Sequence, residues 1–344
     1  MTGEPIRVGI VGFGLAGRVF HGALLADDPE YRVEAVVTRD DDRAADARRR
    51  HPGAAVVPSS ADLASMGLDL VVVATPNATH ADVAVEALRA GSAVVVDKPV
   101  ATTAREAREL IAEAESADRL LTVYQNRRYD GDYLTASRLV ADGSLGEVHT
   151  FESRFEPWKT ANRAGWKSSA TASDGGGILF DLGPHLVDQA LRLFGPVDDV
   201  RAEIATRRPS AVADDDVMVS LRHAGGVRSR LWMSHVAAQP GPRLRVLGSE
   251  GAYVVSGLDP QEAQLASGLS PSDPEYGLVG ADGHGTVGVG VGDDRRVVPT
   301  ERGRYPLFYR RLAAALRGEA EVPVDPRDAL AALEVIEEAR RTAR

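Results

Sequence analysis

The chain contains no cysteine, which removes disulfides, thiolate nucleophiles and the usual structural zinc sites and leaves any chemistry to other groups. No metal is expected, and a cytoplasmic location fits the missing thiols. Long apolar runs are lacking too. The stretch Ile6–Val11 is far too short to span a bilayer, and no basic segment precedes it as in a secretory leader. Nor is there an excess of basic charge, since 40 Lys and Arg stand against 50 Asp and Glu, a formal net charge of -10. An acidic surface repels phosphate backbones and anionic headgroups, so neither nucleic acid nor a membrane surface is an expected partner. Internal repeats are absent. With 44% apolar and 26% charged residues, the composition is that of a folded globular protein.

What is present is enough chain for two cores: 344 residues exceed what one core usually serves. In the first third, short apolar runs (Ile6–Val11, Arg32–Val37, Asp69–Ala74, Ala93–Val96, Leu120–Tyr124) alternate with segments of three- and four-residue apolar spacing (Ala78–Arg89, Thr102–Ala117). Strands separated by helices need crossover connections, which predicts a parallel, doubly wound sheet over residues 1–124. Beyond Tyr124 strand-like segments follow one another without helices between them, from Val197–Thr206 to Tyr253–Ser256. This predicts antiparallel pairing and an α+β domain over residues 125–344. Gly277–Asp294, rich in Gly and Asp, reads as a long loop or irregular strands, and two helices (Tyr305–Leu316, Arg327–Arg341) close the chain. The mixed-charge stretch Arg39–Arg50 reads as a solvated helix face.

Directly after the first strand comes GFGLAG, placing Gly12, Gly14 and Gly17 at dinucleotide-fingerprint spacing, with Phe13, Leu15 and Ala16 between them. Gly12 permits the tight turn, Gly14 lets backbone amides approach a pyrophosphate, and Gly17 permits close helix packing. Where an NAD site offers a carboxylate to the ribose, about twenty residues on, stand Thr38 and Arg39. A guanidinium pairs with a 2′-phosphate, so NADP(H) is expected at Arg39, with NAD(H) the alternative should Asp40, Asp41 or Asp42 reach the ribose. A later strand ends in ATPNATH. Thr75, Pro76, Asn77 and His80 then flank the cofactor by position, while Asn77 also suits a helix cap.

The next strand ends in Asp97-Lys98-Pro99, which aims a lysine out of a buried strand end. In GGGILFDLGPHLVDQALRLFG, Asp181 and His185 fall one helical turn apart, with Pro184 marking either the helix start or a kink. Hydride transfer to or from a carbinol carbon needs a group to stabilise alkoxide character and a group to move the hydroxyl proton. Lys98 suits the first task and His185 the second, with Asp181 orienting the imidazole.

In order and spacing, GFGLAG, ATPNATH, the DKP triplet and the Asp-x-x-x-His element resemble the glucose-fructose oxidoreductase and inositol dehydrogenase (Gfo/Idh/MocA) family over nearly the whole chain. The Asp97 variant of the triplet, with QNRRYD at Gln125–Asp130, looks like its NADP-dependent scyllo-inositol dehydrogenase branch. The resemblance implies Lys98, Asp181 and His185 as the catalytic group and a C-terminal domain with a large, mostly antiparallel sheet. It also implies a homodimer or homotetramer formed through that sheet, and a small polyol or sugar as substrate. Asn126 and Arg127 resemble residues near a substrate pocket, and Trp158 and Trp166 are candidates to wall it. Rival readings are a ketosugar reductase and a non-catalytic NADP(H)-binding sensor.

Overall fold

The computed structural model describes residues 4–159, 170–171, 174–209, 211–290 and 294–343. The chain divides into two compact units, each built from more than one stretch of sequence. The first comprises residues 1–126, 261–276 and 304–330, the second residues 127–260, 277–303 and 331–344. A single cut after residue 124 describes the first crossover but misses the two later returns.

The first unit holds a six-stranded parallel sheet. Its strands are β1 (Ile6–Val11), β2 (Tyr31–Val37), β3 (Ala55–Val57), β4 (Leu70–Val73), β5 (Ala93–Asp97) and β6 (Leu121–Tyr124), in the order β3-β2-β1-β4-β5-β6. Continuous valine runs make β4 and the body of β5 buried throughout, as strands covered on both faces must be. The short β3 beside Pro58 carries too few residues for a periodic signal and was not among the expected strands. Helices cap where short polar side chains precede them: Asp40 accepts from the amide of Arg43 at 2.9 Å, and Thr103 from Glu106 at 3.1 Å. The strand order reverses direction between β1 and β4, and in such sheets ligands lie outside the carboxyl ends of the strands at that point.

The late returns complete this unit's core. The helix Pro306–Leu316 brings Phe308 edge-on to Tyr124, with ring centres 4.9 Å apart, and Tyr309 to His21, whose Nδ1 lies 2.6 Å from the tyrosine hydroxyl. Thr122 donates to the carbonyl of Val324 at 2.8 Å.

The second unit holds an eight-stranded sheet. It consists of β7 (Val148–Phe155), β8 (Val197–Ala205), β9 (Asp216–His223), β10 (Arg228–Ser234), β11 (Leu244–Gly248), β12 (Ala252–Val255), β13 (Gly285–Gly288) and β14 (Arg296–Val298), ordered β14-β13-β12-β11-β7-β10-β9-β8. Every pairing is antiparallel except β7 with β10. β9 and β10 alternate buried and more exposed residues, and the helix Ile178–Phe194 packs on β10, β9 and β7. The glycine-rich stretch read as loop or irregular strands contains β13 and a 3₁₀ turn at Ala281–Gly283. The helix Ile178–Phe194 runs through Pro184 and begins at Gly177.

Burial holds the imidazoles of His21, His51 and His235 down to about 4, well below their ordinary 6.5. Between those values the unfolded chain binds protons that the folded chain refuses, so stability is present near neutrality and lost as the pH falls from about 6.5 toward 4. For the fully buried His21 this amounts to about 3 kcal/mol at most. Urea unfolding at pH 7 and pH 4.5 should show the loss, and His21→Gln should reduce the difference while leaving the part due to His51 and His235. An unchanged difference in the variant would mean that His21 is not the group excluded from protonation.

Candidate active site

At the carboxyl end of β1 the glycine loop is set by close approach. Gly12 sits at φ +91°, and a Cβ there would stand 2.5 Å from the carbonyl oxygen of Ala74, the residue following β4. A Cβ on Gly17 would fall 2.0 Å from the Gly12 carbonyl oxygen. Gly14 differs. The nearest atom to its Cβ position is the Arg43 Nη1 at 4.0 Å, so the space in front of it is open. Two glycines are thus required by the fold and the third leaves a concavity at the loop, a fit for a pyrophosphate approached by backbone amides. The helical run that follows opens as a π-helix over Ala16–Gly22, a form frequent at functional sites.

A cleft of about 350 Å³ opens at this loop, lined by Phe13, Gly14 and Leu15 and by Arg18, Arg43 and Arg49, with Asp42 and Asp46 beside them. Arg39, expected to read a phosphate there, is not among its lining residues; it is exposed and its Nε donates to the carbonyl of Pro58 at 3.0 Å. Thr38 makes a turn, its hydroxyl accepting from the amide of Asp40 at 3.3 Å. Arg18 and Arg49 both pair with Asp46, at 3.7 and 2.8 Å. Arg43, in the first turn of the helix Asp41–Arg50, comes nearest Gly14. Its signal in the sequence is the spacing of one helical turn after Arg39, hidden inside a stretch read as a solvated face.

Beyond β4, Asn77 opens a 3₁₀ turn and is buried; the cap position of the helix His80–Arg89 falls on Thr79, so Asn77 is not that helix's cap. The Thr79 hydroxyl reaches Thr75 Oγ1 and the Pro76 carbonyl, each at 2.8 Å. His80 is buried between the Thr75 and Pro99 carbonyls. At the end of β5, Asp97 Oδ1 accepts from the backbone amide of Lys98 at 2.9 Å, and the Lys98-Pro99 peptide bond is cis.

In the second unit a distant carboxylate starts the helix carrying Asp181 and His185. Asp214 accepts from the amides of Ile178 through its carbonyl and Leu179 through its carboxylate, both at 2.8 Å, while Gly177 at φ +93° leaves room where a Cβ would stand 2.3 Å from that carboxylate. Asp181 lies half-buried in the first turn and His185 one turn on, 4% exposed, with its ring 6.4 Å from that of Phe155. The guanidinium groups of Arg127 and Arg243 lie 4.7 and 4.3 Å from the centre of the Phe155 ring. Arg243 also donates to Ser153 at 2.6 Å and pairs with Asp132 at 3.1 Å, and Arg127 pairs with Asp130 at 3.3 Å. Burial pushes the Asp130 carboxyl well above its usual range despite Arg127.

Arg127 is thus tied into a buried ion pair. Asn126, 5% exposed, belongs to the first unit, as does Lys98; Trp158 is 55% exposed, and Trp166 lies outside the described residues. Sequence reasoning missed His235, at the end of β10. Its ring is held uncharged mainly by burial, then by Lys159 and Arg208, against the opposing pull of Asp181. Only its tertiary position relates it to Asp181.

A parallel sheet with a glycine-lined cleft at the carboxyl end of β1, joined in one chain to a mostly antiparallel sheet, defines a Rossmann-type dinucleotide-binding oxidoreductase. Residues 6–125 match the oxidoreductase family described as having an NAD-binding Rossmann fold, and residues 133–254 match the GFO/IDH/MocA C-terminal domain. The chain belongs to the GFO/IDH/MocA family. It is 38% identical over 335 residues to the uncharacterized oxidoreductase YdgJ of Escherichia coli, covering 97% of this chain and 95% of that protein. It is 31% identical to the scyllo-inositol 2-dehydrogenase (NADP(+)) IolW of Bacillus subtilis, covering 99% and 94%. The solved structure of yvaA from Bacillus subtilis superposes with a TM-score of 0.91 at 32% identity, over 98% of this chain and 96% of that one.

The glycines give a paired test. Gly17→Ala should cost about 1 to 3 kcal/mol of stability from the clash with Gly12. Gly14→Ala should leave stability within about 0.5 kcal/mol of wild type and still weaken dinucleotide binding about tenfold or more by filling the open space. Thermal unfolding and dinucleotide titration separate the two, and equal losses of stability would contradict the assignment.

Proposed function

We propose that the protein transfers hydride between NADP(H) and a cyclic polyol, a sugar or a related ketone, with scyllo-inositol and its ketone the first substrates to try. The observation that carries the cofactor reading is Arg43 beside the open face of Gly14, in a cleft whose nearby Asp46 is already engaged by Arg18 and Arg49. Arg43 itself pairs only with the exposed carboxylate of Asp40, at 3.8 Å, a weak surface contact that a 2′-phosphate can displace. The NADP-dependent name of the relative IolW supports the same choice.

The bound nicotinamide supplies or accepts the hydride. The ammonium of Lys98 stabilises negative charge developing on the substrate oxygen. His185 takes or returns the hydroxyl proton, and Asp181 orients its imidazole. The active form is a homodimer or homotetramer in the cytoplasm, with a small-molecule polyol or sugar as its partner.

NADPH should be used with at least about tenfold higher kcat/KM than NADH, and Arg43→Ala should narrow that ratio more than Arg39→Ala. A wild-type preference for NADH would reject the phosphate assignment and point to Asp42 on the ribose.

Turnover of scyllo-inosose or a related ketone should drop about 10²- to 10⁴-fold in His185→Ala while NADPH titrates normally. Activity of Lys98→Ala within a few-fold of wild type would remove the lysine from the chemistry.

A further inference from the structure

His80 opens the helix after the β4 turn and is only 1% exposed. Its Nδ1 lies 2.8 Å from the carbonyl oxygen of Pro99 and its Nε2 2.8 Å from that of Thr75. A carbonyl oxygen only accepts, so both contacts are hydrogen bonds only when both ring nitrogens bear hydrogen. A ring with one N–H would aim a lone pair at a buried carbonyl and leave that oxygen without a donor from the ring, a costly arrangement away from water.

The two carbonyls belong to the two turns that end β4 and β5. Thr75 follows Ala74, against which Gly12 of the dinucleotide loop is pressed, and Pro99 follows Lys98. Three other titratable groups gather here. His21 from the π-helix feels the charges of both His80 and Asp97, and Lys98 adjoins Pro99 on the same strand end as Asp97. Asp97 is the one carboxylate among these three groups, and its Oδ1 accepts from the Lys98 amide at 2.9 Å.

We propose that His80 is a positioning residue: its ring, bearing hydrogen on both nitrogens, clasps the Thr75 and Pro99 carbonyls and so fixes the spacing between the Thr75-Pro76-Asn77 turn and Lys98 at the carboxyl ends of β4 and β5, where the nicotinamide would lie. The proposal rests on the reading that the first unit holds a nicotinamide dinucleotide. His80 itself touches neither cofactor nor substrate; it acts through the two turns. Glutamine carries hydrogen on one side-chain nitrogen only and opens one arm of the clasp.

The test uses the full chain, ¹⁵N- and ¹³C-labelled, with the His80 ring assigned through its bonds to the backbone. The unliganded wild type should show two ring N–H groups at His80, and a single one overturns the clasp even if His80→Gln does not fold. NADPH is then titrated while its nicotinamide emission is followed. His80→Gln should keep the dissociation constant within about threefold, because the adenosine end is held at the glycine loop. The bound nicotinamide emission should change. Turnover of any ketone that the wild type reduces should fall about 10²-fold, the scale set by a misplacement of about 1 Å.

Unchanged emission with wild-type affinity overturns the positioning role. So does a parallel loss of thermal stability and affinity with unchanged bound emission, which is the signature of a staple that only holds the fold. Wild-type protein that binds neither NADPH nor NADH refutes the dinucleotide reading instead, and the count of ring N–H groups still decides the clasp.

Discussion

The close approach of backbone to backbone at the end of β1 is the constraint on which the first unit depends. Gly17 lies where only hydrogen fits over the Gly12 carbonyl, and Gly12 lies in the same way against Ala74. These contacts hold the helical run from Ala16 against the loop and the loop against the β4 turn. A side chain at Gly12 would push the loop off the β4 turn where the strand order reverses, and one at Gly17 would push the helical run off the loop. The fold and the cofactor site therefore share one steric requirement.

The second unit solves a related problem with charge. A helix of seventeen residues begins at a glycine without a local side-chain cap, and Asp214, brought from just before β9, accepts two of its first amides. Burial pushes the Asp214 carboxyl up, against the stabilising amide of Leu179 and the charge of Arg340. A cap delivered from another segment fixes where the helix starts and hence where Asp181 and His185 lie on it. Beside it, the Phe155 ring faces two arginines whose own carboxylates are buried with them, so this wall is rigid and strongly polar.

The two halves of the expected chemistry belong to different units, Lys98 to the first and Asp181 with His185 to the second. Lys98 stands just past the end of β5, whereas Asp181 lies in the first turn, and His185 one turn on, of a helix whose start Asp214 fixes. Asp97 illustrates the consequence. Its carboxylate accepts from the backbone amide of the next residue, Lys98, so the turn itself orients it.

The sequence by itself determined the parallel sheet, the glycine loop, the helix carrying Asp181 and His185, and the mostly antiparallel character of the second sheet. These follow from periodicity and from residues whose conformational needs are local, such as valine runs buried on both faces and a glycine at φ +91°. Tertiary structure alone decided which arginine faces Gly14, because Arg39 and Arg43 are chemically alike and only the packing of the helix Asp41–Arg50 separates them. It decided that Asp214 caps a helix thirty-odd residues before it, that His235 stands in the field of Asp181, and that residues 261–276 and 304–330 return to the first unit. The short β3 and β14 escaped notice for the same reason: three residues carry no period, and only the neighbouring strand makes them strands.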